Sequence, residues 1–220
     1  MENAILPWMS SQTEATSTII GRSSSSFTRV ARIFAEELSV TGALEVVRDL
    51  KSLDALDYGG NPALKVPSLR TPEATWFGAL NICRVLARLS PRRPRIVWPE
   101  ELEEPLLANF QELVLHAMSA EVGLIMSDTA EPTSDSVHRV KLTKSLTNSL
   151  SWLDAHVHTA LAALPPARDL SFLEVTLFCL VTHLDFRKVL STAPYLELTA
   201  FHRAFGERPA CASTEYRFDT

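Results

Sequence analysis

The sequence predicts an α+β protein with a mixed sheet and its helices in the N-terminal part and only helices after it. Over roughly the first 90 residues, β-prone runs and helical periodicity alternate in the order β-α-β-β-β-α. From about residue 100, apolar residues recur only at helical spacing. A stretch rich in proline and arginine lies between the two parts and interrupts every periodicity. We therefore predict a loose leader over residues 1–15, a sheet-containing domain over 16–90, a linker over 91–99 and an all-helical domain over 100–220.

The first elements are a strand, a helix and a second strand. Thr16–Ile20 is a short β-prone run that ends at a glycine. The serines Ser23–Ser26 are good N-cap residues, and apolar residues recur at helical spacing from Phe27 to Leu38. Ala43–Val47 has the apolar character of a second strand. Residues 52–61 are irregular and end in a turn rich in glycine.

A proline stands inside the next strand-like run. Leu64–Arg70 and Thr75–Phe77 predict a hairpin, and Ala79–Leu89 predicts the helix that follows. Pro67 cannot donate a hydrogen bond to a sheet, so it is poor material for a central strand. Pro67 is compatible with a strand if the Val66–Pro67 bond is cis and the strand begins at this bond. A cis bond before proline costs only about 0.5–1 kcal/mol, which a folded protein can offset. The alternative is an ordinary trans proline at the start of a strand.

The second half predicts four helices and one capping motif. The helices are predicted over 100–127, 137–161, 172–190 and 194–205, with a polar loop over 128–136. Ser171 and Glu174 have the spacing of a capping box, in which the serine caps the Glu174 amide and the carboxylate reaches back to the serine amide. The helix they open is the most apolar of the chain and should be central to the helical domain.

Composition and charge exclude several classes of protein. The chain is 46% hydrophobic and carries 21 basic against 26 acidic residues, a net charge of −5, which argues against nucleic acid or an anionic membrane as partner. No apolar run approaches the roughly 20 residues of a membrane span, and the start lacks the basic cluster of a signal peptide. Cys83, Cys179 and Cys211 are far apart and have no metal-ligand spacing. We therefore expect a cytoplasmic protein with inert buried thiols and no metal.

Several segments, in this order, resemble the glutathione S-transferase superfamily. Ser25–Val30 resembles the family's Ser-Pro-x-x-Arg-Val helix start, and Asn61–Leu69 resembles its Asn-Pro-x-x-Lys-Val-Pro-x-Leu segment. Ser171–Glu174 stands where the family has a Ser/Thr-x-x-Asp capping box, and Phe205–Ala210 resembles the end of its helical domain. The likeness spans residues 18–212. It implies a thioredoxin-like N-terminal domain that binds glutathione and an all-helical C-terminal domain.

The resemblance also implies functional residues. Ser25, or its neighbour Ser24, would hold the hydroxyl that activates the thiol of glutathione. The backbone of Val66 would pair with the cysteinyl part of glutathione. The full set of implied glutathione-binding residues is Lys65, Val66, Pro67, Gly78 and Ala79, and the pocket for the second substrate would comprise Phe27, Met118 and Glu121. The alternative for Met118 and Glu121 is packing in the core, and the alternative for the serines 23–26 is that they only cap the helix.

The chain departs from the family before its third helix. Catalytic members carry Glu/Gln-Ser there, whereas this chain has Gly78-Ala79 and so lacks the serine hydroxyl. A lost hydrogen bond to a charged group costs about 1.5–3 kcal/mol, or roughly ten- to a hundredfold in affinity. Thr75, Asn81 or Arg70 could compensate. Gly78-x-x-Asn81-Ile82-x-Arg84 also resembles non-catalytic members that act as assembly modules.

Two functions follow from the resemblance. The first is a transferase that joins glutathione to a small apolar electrophile, or isomerises it, by stabilising the thiolate. The second is a non-catalytic scaffold that keeps the fold for protein–protein contacts. Residues 23–26 contain no cysteine, which argues against the branch of the family that transfers thiols. Either protein would be a homodimer by family expectation, without a nucleic-acid or membrane partner.

Overall fold

The computed structural model describes residues 17–130 and 136–219, without the side chains of 128–130. The predicted leader over residues 1–15 lies outside the described residues.

The N-terminal part has the predicted order of elements. The elements are β1 Ser17–Gly21, α1 Ser26–Glu37, β2 Gly42–Val46, a one-turn 3-10 helix Ala55–Tyr58, β3 Ser68–Arg70, β4 Thr75–Phe77 and α2 Ala79–Leu89. The predicted strand over 64–70 is wrong in its first half, because only the last three residues pair with a neighbouring strand. Leu64 has a φ of 52°, which a strand cannot contain. The Val66–Pro67 bond is cis, as predicted.

The sheet brings three connections to one end. The strand order is β2-β1-β3-β4, with β1 parallel to β2 and antiparallel to β3. Ile20 of β1 pairs with Ser68 of β3, which pairs in turn with Phe77 of β4. The chain that leaves β1, the chain that enters β3 and the chain that leaves β4 therefore lie side by side.

The two helices of this part pack on the sheet through apolar faces. The buried residues shared by the sheet, α1 and α2 include Ile19, Val30, Ile33, Phe34, Leu69, Ile82 and Leu86. β1 ends at Gly21, where an added Cβ would lie 2.5 Å from the Thr28 hydroxyl oxygen. The missing side chain lets the end of β1 approach the first turn of α1 closely.

The second half is a helical bundle. Its elements are β5 Ile96–Val97, a 3-10 turn Pro99–Glu101, α3 Pro105–Ala130, α4 Val137–Ala163, β6 Leu170–Ser171, α5 Phe172–Arg187, α6 Leu196–Gly206 and α7 Pro209–Ser213. The segment predicted as a linker contains β5, which pairs in parallel with β6. The loop predicted over 128–136 is wrong at its start, because α3 continues to residue 130. Here the backbone continues as a helix beyond the last apolar residue of the periodic pattern.

The apolar helix α5 is central, as predicted. Its buried residues join one core with α1, α3 and α6, and it ends where Lys188 takes a left-handed φ of 54°. Only half of the predicted capping box forms. The Ser171 hydroxyl oxygen accepts a hydrogen bond from the Glu174 amide at 3.0 Å. The Glu174 carboxylate reaches back to the Ser171 hydroxyl, at 2.6 Å, and not to the Ser171 amide, and the Arg168 guanidinium binds it at 2.8 and 2.7 Å. A bidentate guanidinium is a stronger partner for a carboxylate than the serine amide.

Some features do not occur in the part of the chain that the structure describes. Across residues 17–130 and 136–219, no helix is both long and apolar enough to cross a bilayer. The same residues contain no cluster of three or more His, Cys, Asp or Glu side chains arranged to hold a metal ion.

Candidate functional site

A turn rich in serine connects β1 to α1. The Ser25 amide donates to the Arg22 carbonyl at 3.1 Å, so Ser23 and Ser24 form the middle of a turn directly before the helix. Ser23 and Ser26 are fully buried, whereas Ser24 and Ser25 are partly accessible. Of the four serines, only Ser24 and Ser25 therefore have side chains that a ligand could reach. These are the two serines that the family resemblance implies.

Ser25 is the N-cap of α1. Its hydroxyl oxygen accepts a hydrogen bond from the Thr28 amide at 3.2 Å, and its backbone is extended, with φ −101° and ψ 127°. A hydroxyl that accepts in this way still has its own proton to donate. The Ser25 proton therefore lies at the positive end of the dipole of α1, where it can act together with the helix on a bound anion.

The segment before β3 is organised by Asn61. This buried side chain donates to the Lys65 carbonyl at 2.8 Å and accepts from the Ala63 amide at 3.0 Å. Val66 follows with neither its amide nor its carbonyl in a hydrogen bond to any described residue. Val66 is only partly buried, so a ligand can reach this part of the backbone. The Val66 backbone can therefore pair with an extended peptide-like ligand.

The start of α2 offers amides but no hydroxyl. Gly78 is the N-cap, with φ 82° and no side-chain cap, and its own amide donates to the Pro67 carbonyl at 3.3 Å. The Ala79 side chain is buried, while the first backbone amides of the 11-residue helix α2 are not used by any capping side chain. Of the possible compensating residues, Arg70 forms an exposed ion pair with Glu45 at 2.9 Å, and Asn81 is exposed in the first turn of α2.

Two of the three predicted pocket residues do not reach the surface. Met118 and Glu121 are both completely buried, and Phe27 is half-buried against the main core. The pocket assignment is therefore corrected for Met118, which is a core residue, and for Glu121, which lies beside His183. Helical periodicity marks the face that points inward, and it does not separate core from pocket.

Glu121 and His183 form a buried pair behind the turn of residues 22–25, here called the serine turn. Glu121 Oε1 lies 2.9 Å from His183 Nδ1, an ion-pair distance, although the two groups are not aligned as a hydrogen bond. On its other side, the ring donates from Nε2 to the Ser24 carbonyl at 3.0 Å. Burial raises the pKa of Glu121, while His183 and Arg187 oppose the rise. This pair ties α3 and α5 to the turn that carries Ser24 and Ser25.

The far end of the chain also reaches this turn. Asp219 Oδ2 accepts a hydrogen bond from the Ser23 amide at 2.9 Å and lies 3.9 Å from Arg22 Nε. The Asp219 side chain is only 8% exposed. The Ser23 amide, two residues before Ser25, is therefore already hydrogen-bonded to a carboxylate of the same chain.

Sequence reasoning missed His183 and Asp219. Their partners in the turn are 159 and 196 residues away along the chain, and neither residue stands in a local motif. Arg29, in contrast, serves an interface: it donates to Thr182 Oγ1 and to the Cys211 carbonyl, both at 3.0 Å.

None of the three cysteines belongs to the serine turn or to the segments around Val66 and Gly78. Cys83, Cys179 and Cys211 are buried and unpaired. Burial raises the pKa of Cys179 to about 12 and that of Cys211 to about 11, and it raises the pKa of Cys83 as well. These thiols therefore stay protonated near neutral pH and are inert.

Comparison with known proteins finds similarity only among solved structures. No family model and no curated protein matches the sequence. A glutathione S-transferase from Methylobacillus flagellatus with glutathione bound has a TM-score of 0.72 at 17% identity, over 92% of this chain and 100% of that one. A glutathione transferase family member from Pseudomonas fluorescens with bound glutathione has a TM-score of 0.71 at 18% identity, over 92% and 100%. The chain has the glutathione S-transferase fold.

A third structure with this fold contains a charged glutathione derivative. It is a glutathione S-transferase from Methylobacterium radiotolerans in complex with glutathione sulfonate, with a TM-score of 0.70 and 15% identity over 93% of this chain and 97% of that one. Identities of this size establish a shared fold. The function of the present chain has to be argued from its own residues.

Proposed function

We propose that the protein binds glutathione at the end of the sheet and transfers it to, or uses it to isomerise, a small apolar electrophile. The observation that carries the proposal is the convergence of three groups. They are the unpaired backbone of Val66, the hydroxyl of Ser25 at the start of α1 and the free amides at the start of α2. The sheet register places the three connections that carry these groups side by side.

Each group suits one part of glutathione. The Val66 amide and carbonyl would pair with the cysteinyl backbone, as one more extended strand would. The amides at the start of α2 would bind the γ-glutamyl carboxylate, since a helix N-terminus favours an anion. Lys65 is exposed beside Val66, and its charge would attract the negatively charged tripeptide. Ala79 supplies an amide but no hydroxyl, which predicts weaker binding of this carboxylate.

The chemistry would be stabilisation of a thiolate. A free thiol of pKa about 8.5 is only a few per cent ionised at pH 7. The Ser25 hydroxyl would donate a hydrogen bond to the sulfur, and the dipole of α1 would favour its negative charge. Lowering the thiol pKa by about two units makes most of the bound glutathione a nucleophile. Ser24 could supply the second hydroxyl, because its side chain is partly accessible in the same turn.

A non-catalytic scaffold is the second candidate, and two observations favour it. Gly78-Ala79 lacks the hydroxyl that catalytic members use, and the Asp219 carboxylate binds the turn beside Ser25. In that case the fold would serve protein–protein contacts. We place either protein in the cytoplasm as a homodimer, and we keep the domain limits 16–90 and 100–220 as part of the proposal.

Binding of glutathione separates the two candidates. The full chain should be retained on immobilised glutathione, and millimolar glutathione should raise its Tm. The double variant S24A/S25A should keep the affinity for glutathione within a few-fold and lose most of the rate with a small aromatic electrophile. Absence of both retention and a thermal shift at millimolar glutathione contradicts the transferase and supports the scaffold.

A further inference from the structure

We propose that residues Tyr216–Asp219, here called the C-terminal segment, close one side of the candidate site, and that Asp219 makes the site select against extra negative charge at the sulfur of glutathione. The inference rests on the proposed function. It concerns which derivatives of glutathione the site accepts, and therefore which electrophiles it favours.

The C-terminal segment is anchored on the helical bundle by Tyr216. The tyrosine hydroxyl donates to the Cys179 carbonyl at 2.9 Å. Its ring lies 4.3 Å from the Arg29 guanidinium and stacks on Phe186 at 5.3 Å. The same ring lies 5.0 Å from His183, the residue that holds the Ser24 carbonyl. These contacts direct the following residues toward the serine turn.

Phe218 continues this path. Its ring lies 4.9 Å from Phe186 and 5.4 Å from the Arg187 guanidinium, and the residue is 63% exposed. An exposed aromatic ring next to the turn offers an apolar wall, which suits a small apolar group attached to the sulfur of glutathione.

Asp219 completes the closure with a negative charge. Its carboxylate accepts from the Ser23 amide at 2.9 Å and is almost enclosed. Ser23 and Ser25 are two residues apart, so their backbone atoms lie within about 7 Å of each other. The Asp219 carboxylate and a sulfur bound at Ser25 would therefore be separated by roughly the Debye length, which is about 8 Å at physiological ionic strength, so that salt would screen their interaction in part.

Asp219 acts against a background of positive charge. Arg22 Nε lies 3.9 Å from the Asp219 carboxylate, and Arg32 of α1 also interacts electrostatically with it. Replacing Asp219 by a neutral residue would therefore make the surroundings of the turn more positive. Arg187 lies against Phe218, and the paired carboxylate of Glu121 lies behind the turn. A neutral substituent on the sulfur would leave this arrangement unchanged. A sulfonate would place a full negative charge near Asp219, at a cost of roughly three- to tenfold in affinity. Asp219 would oppose the thiolate to a similar degree, and the Ser25 hydroxyl and the dipole of α1 would have to outweigh it.

Two glutathione derivatives test the selection. Calorimetry on the full chain would measure Kd for S-methylglutathione, which is neutral at the sulfur, and for glutathione sulfonate. D219N keeps an oxygen that can accept from the Ser23 amide but removes the charge. It should bind the sulfonate three- to tenfold more tightly than the wild type and bind S-methylglutathione within twofold of it. E215Q removes an exposed charge from the residue just before the segment and should change neither Kd.

A second measurement follows the C-terminal segment without any ligand. Trypsin can cut after Arg217, an exposed residue of the segment. Asp219→Ala should be cut at least several-fold faster than the wild type, and Glu215→Ala should be cut at the wild-type rate. Equal rates in all three proteins would show that Asp219 does not hold the segment and would overturn the inference.

The outcomes separate the two proposals. If S-methylglutathione binds but D219N changes both ligands equally or neither, the selection by Asp219 is wrong and the glutathione site stands. If neither ligand binds the wild type or D219N, the proposed function itself fails, and the selection falls with it. Faster cutting of Asp219→Ala would then still establish the docked segment as a structural feature.

Discussion

Ser25 combines two roles in one hydroxyl, and a suitable pair of substitutions can separate them. S25A removes both the cap of α1 and the proposed donor to the thiolate. We expect the free energy of unfolding to fall by about 1 kcal/mol, because the Thr28 amide loses its acceptor. The population of bound thiolate should fall as well. Urea unfolding and an ultraviolet titration of bound glutathione measure the two effects.

S25D is the matched control, since aspartate is a good N-cap but cannot donate a proton to sulfur. It should keep the stability of the wild type and lose the thiolate. Wild-type turnover in S25D would contradict the role of the Ser25 hydroxyl.

Ala79 offers a test by gain of function. A79S restores a hydroxyl at the start of α2, where the amides are already available. A hydrogen bond to the charged γ-glutamyl carboxylate should raise the affinity for glutathione by roughly ten- to a hundredfold. Calorimetry measures this change.

Ala74→Ser, an exposed position before β4, is the control and should leave the affinity unchanged. An unchanged Kd in A79S would show that glutathione is not bound at this helix as proposed.

At the scale of secondary-structure elements, the buried pair of Glu121 and His183 links α3 and α5 to the turn before α1. Burial raises the pKa of Glu121 above its ordinary 4.5. The folded state therefore holds the proton of this group more tightly than the unfolded state does. The stability that this proton contributes is fully present below pH 4.5 and is lost as the pH rises through the raised pKa.

E121Q lacks this titration and keeps the shape of the side chain. The free energy of unfolding of the wild type minus that of E121Q should therefore decrease as the pH rises from about 4 to 8. Urea denaturation of both proteins at several pH values measures the difference. A difference that stays constant or increases with pH would mean that Glu121 is not perturbed by burial.

At the scale of the whole molecule, Arg29 joins the two halves. Its guanidinium extends from α1 to Thr182 of α5 and to the Cys211 carbonyl in α7, and the residue is 4% exposed. R29M would remove both hydrogen bonds and the contacts of the guanidinium with the Phe178 and Tyr216 rings, and it should lower the free energy of unfolding by roughly 2–4 kcal/mol. Chemical denaturation followed by tryptophan fluorescence measures the loss.

R32M is the comparison on the same helix. Among the described residues, Arg32 donates hydrogen bonds only to the Thr214 and Ser213 carbonyls, and both are long, at 3.4 Å. Its removal should cost less than about 1 kcal/mol. Equal losses in the two variants would contradict the central place of Arg29 between the halves.

Local patterns in the sequence determined most of the elements. The predicted limits of β4 and α2 agree with the structure, and one of the four serines 23–26 that were predicted as possible caps, Ser25, does cap α1. Turn residues, caps and periodicity act over a few neighbouring residues, so local sequence contains these signals. The predicted cis bond before Pro67 is present for the same kind of reason, since a proline in a strand-like run is a local conflict. The strand predicted from Leu64 failed, because strand pairing depends on a partner that local sequence does not contain.

Only the tertiary structure decided what surrounds the serine turn. It placed Met118 in the core and Glu121 against His183, although helical spacing marks inward residues of both kinds alike. It also brought Asp219 to the Ser23 amide across 196 residues of chain. Contacts between residues so far apart in the sequence follow from the packing of whole elements. Local sequence patterns therefore determined the fold class and the candidate hydroxyls, whereas only the tertiary structure decided which charges surround them.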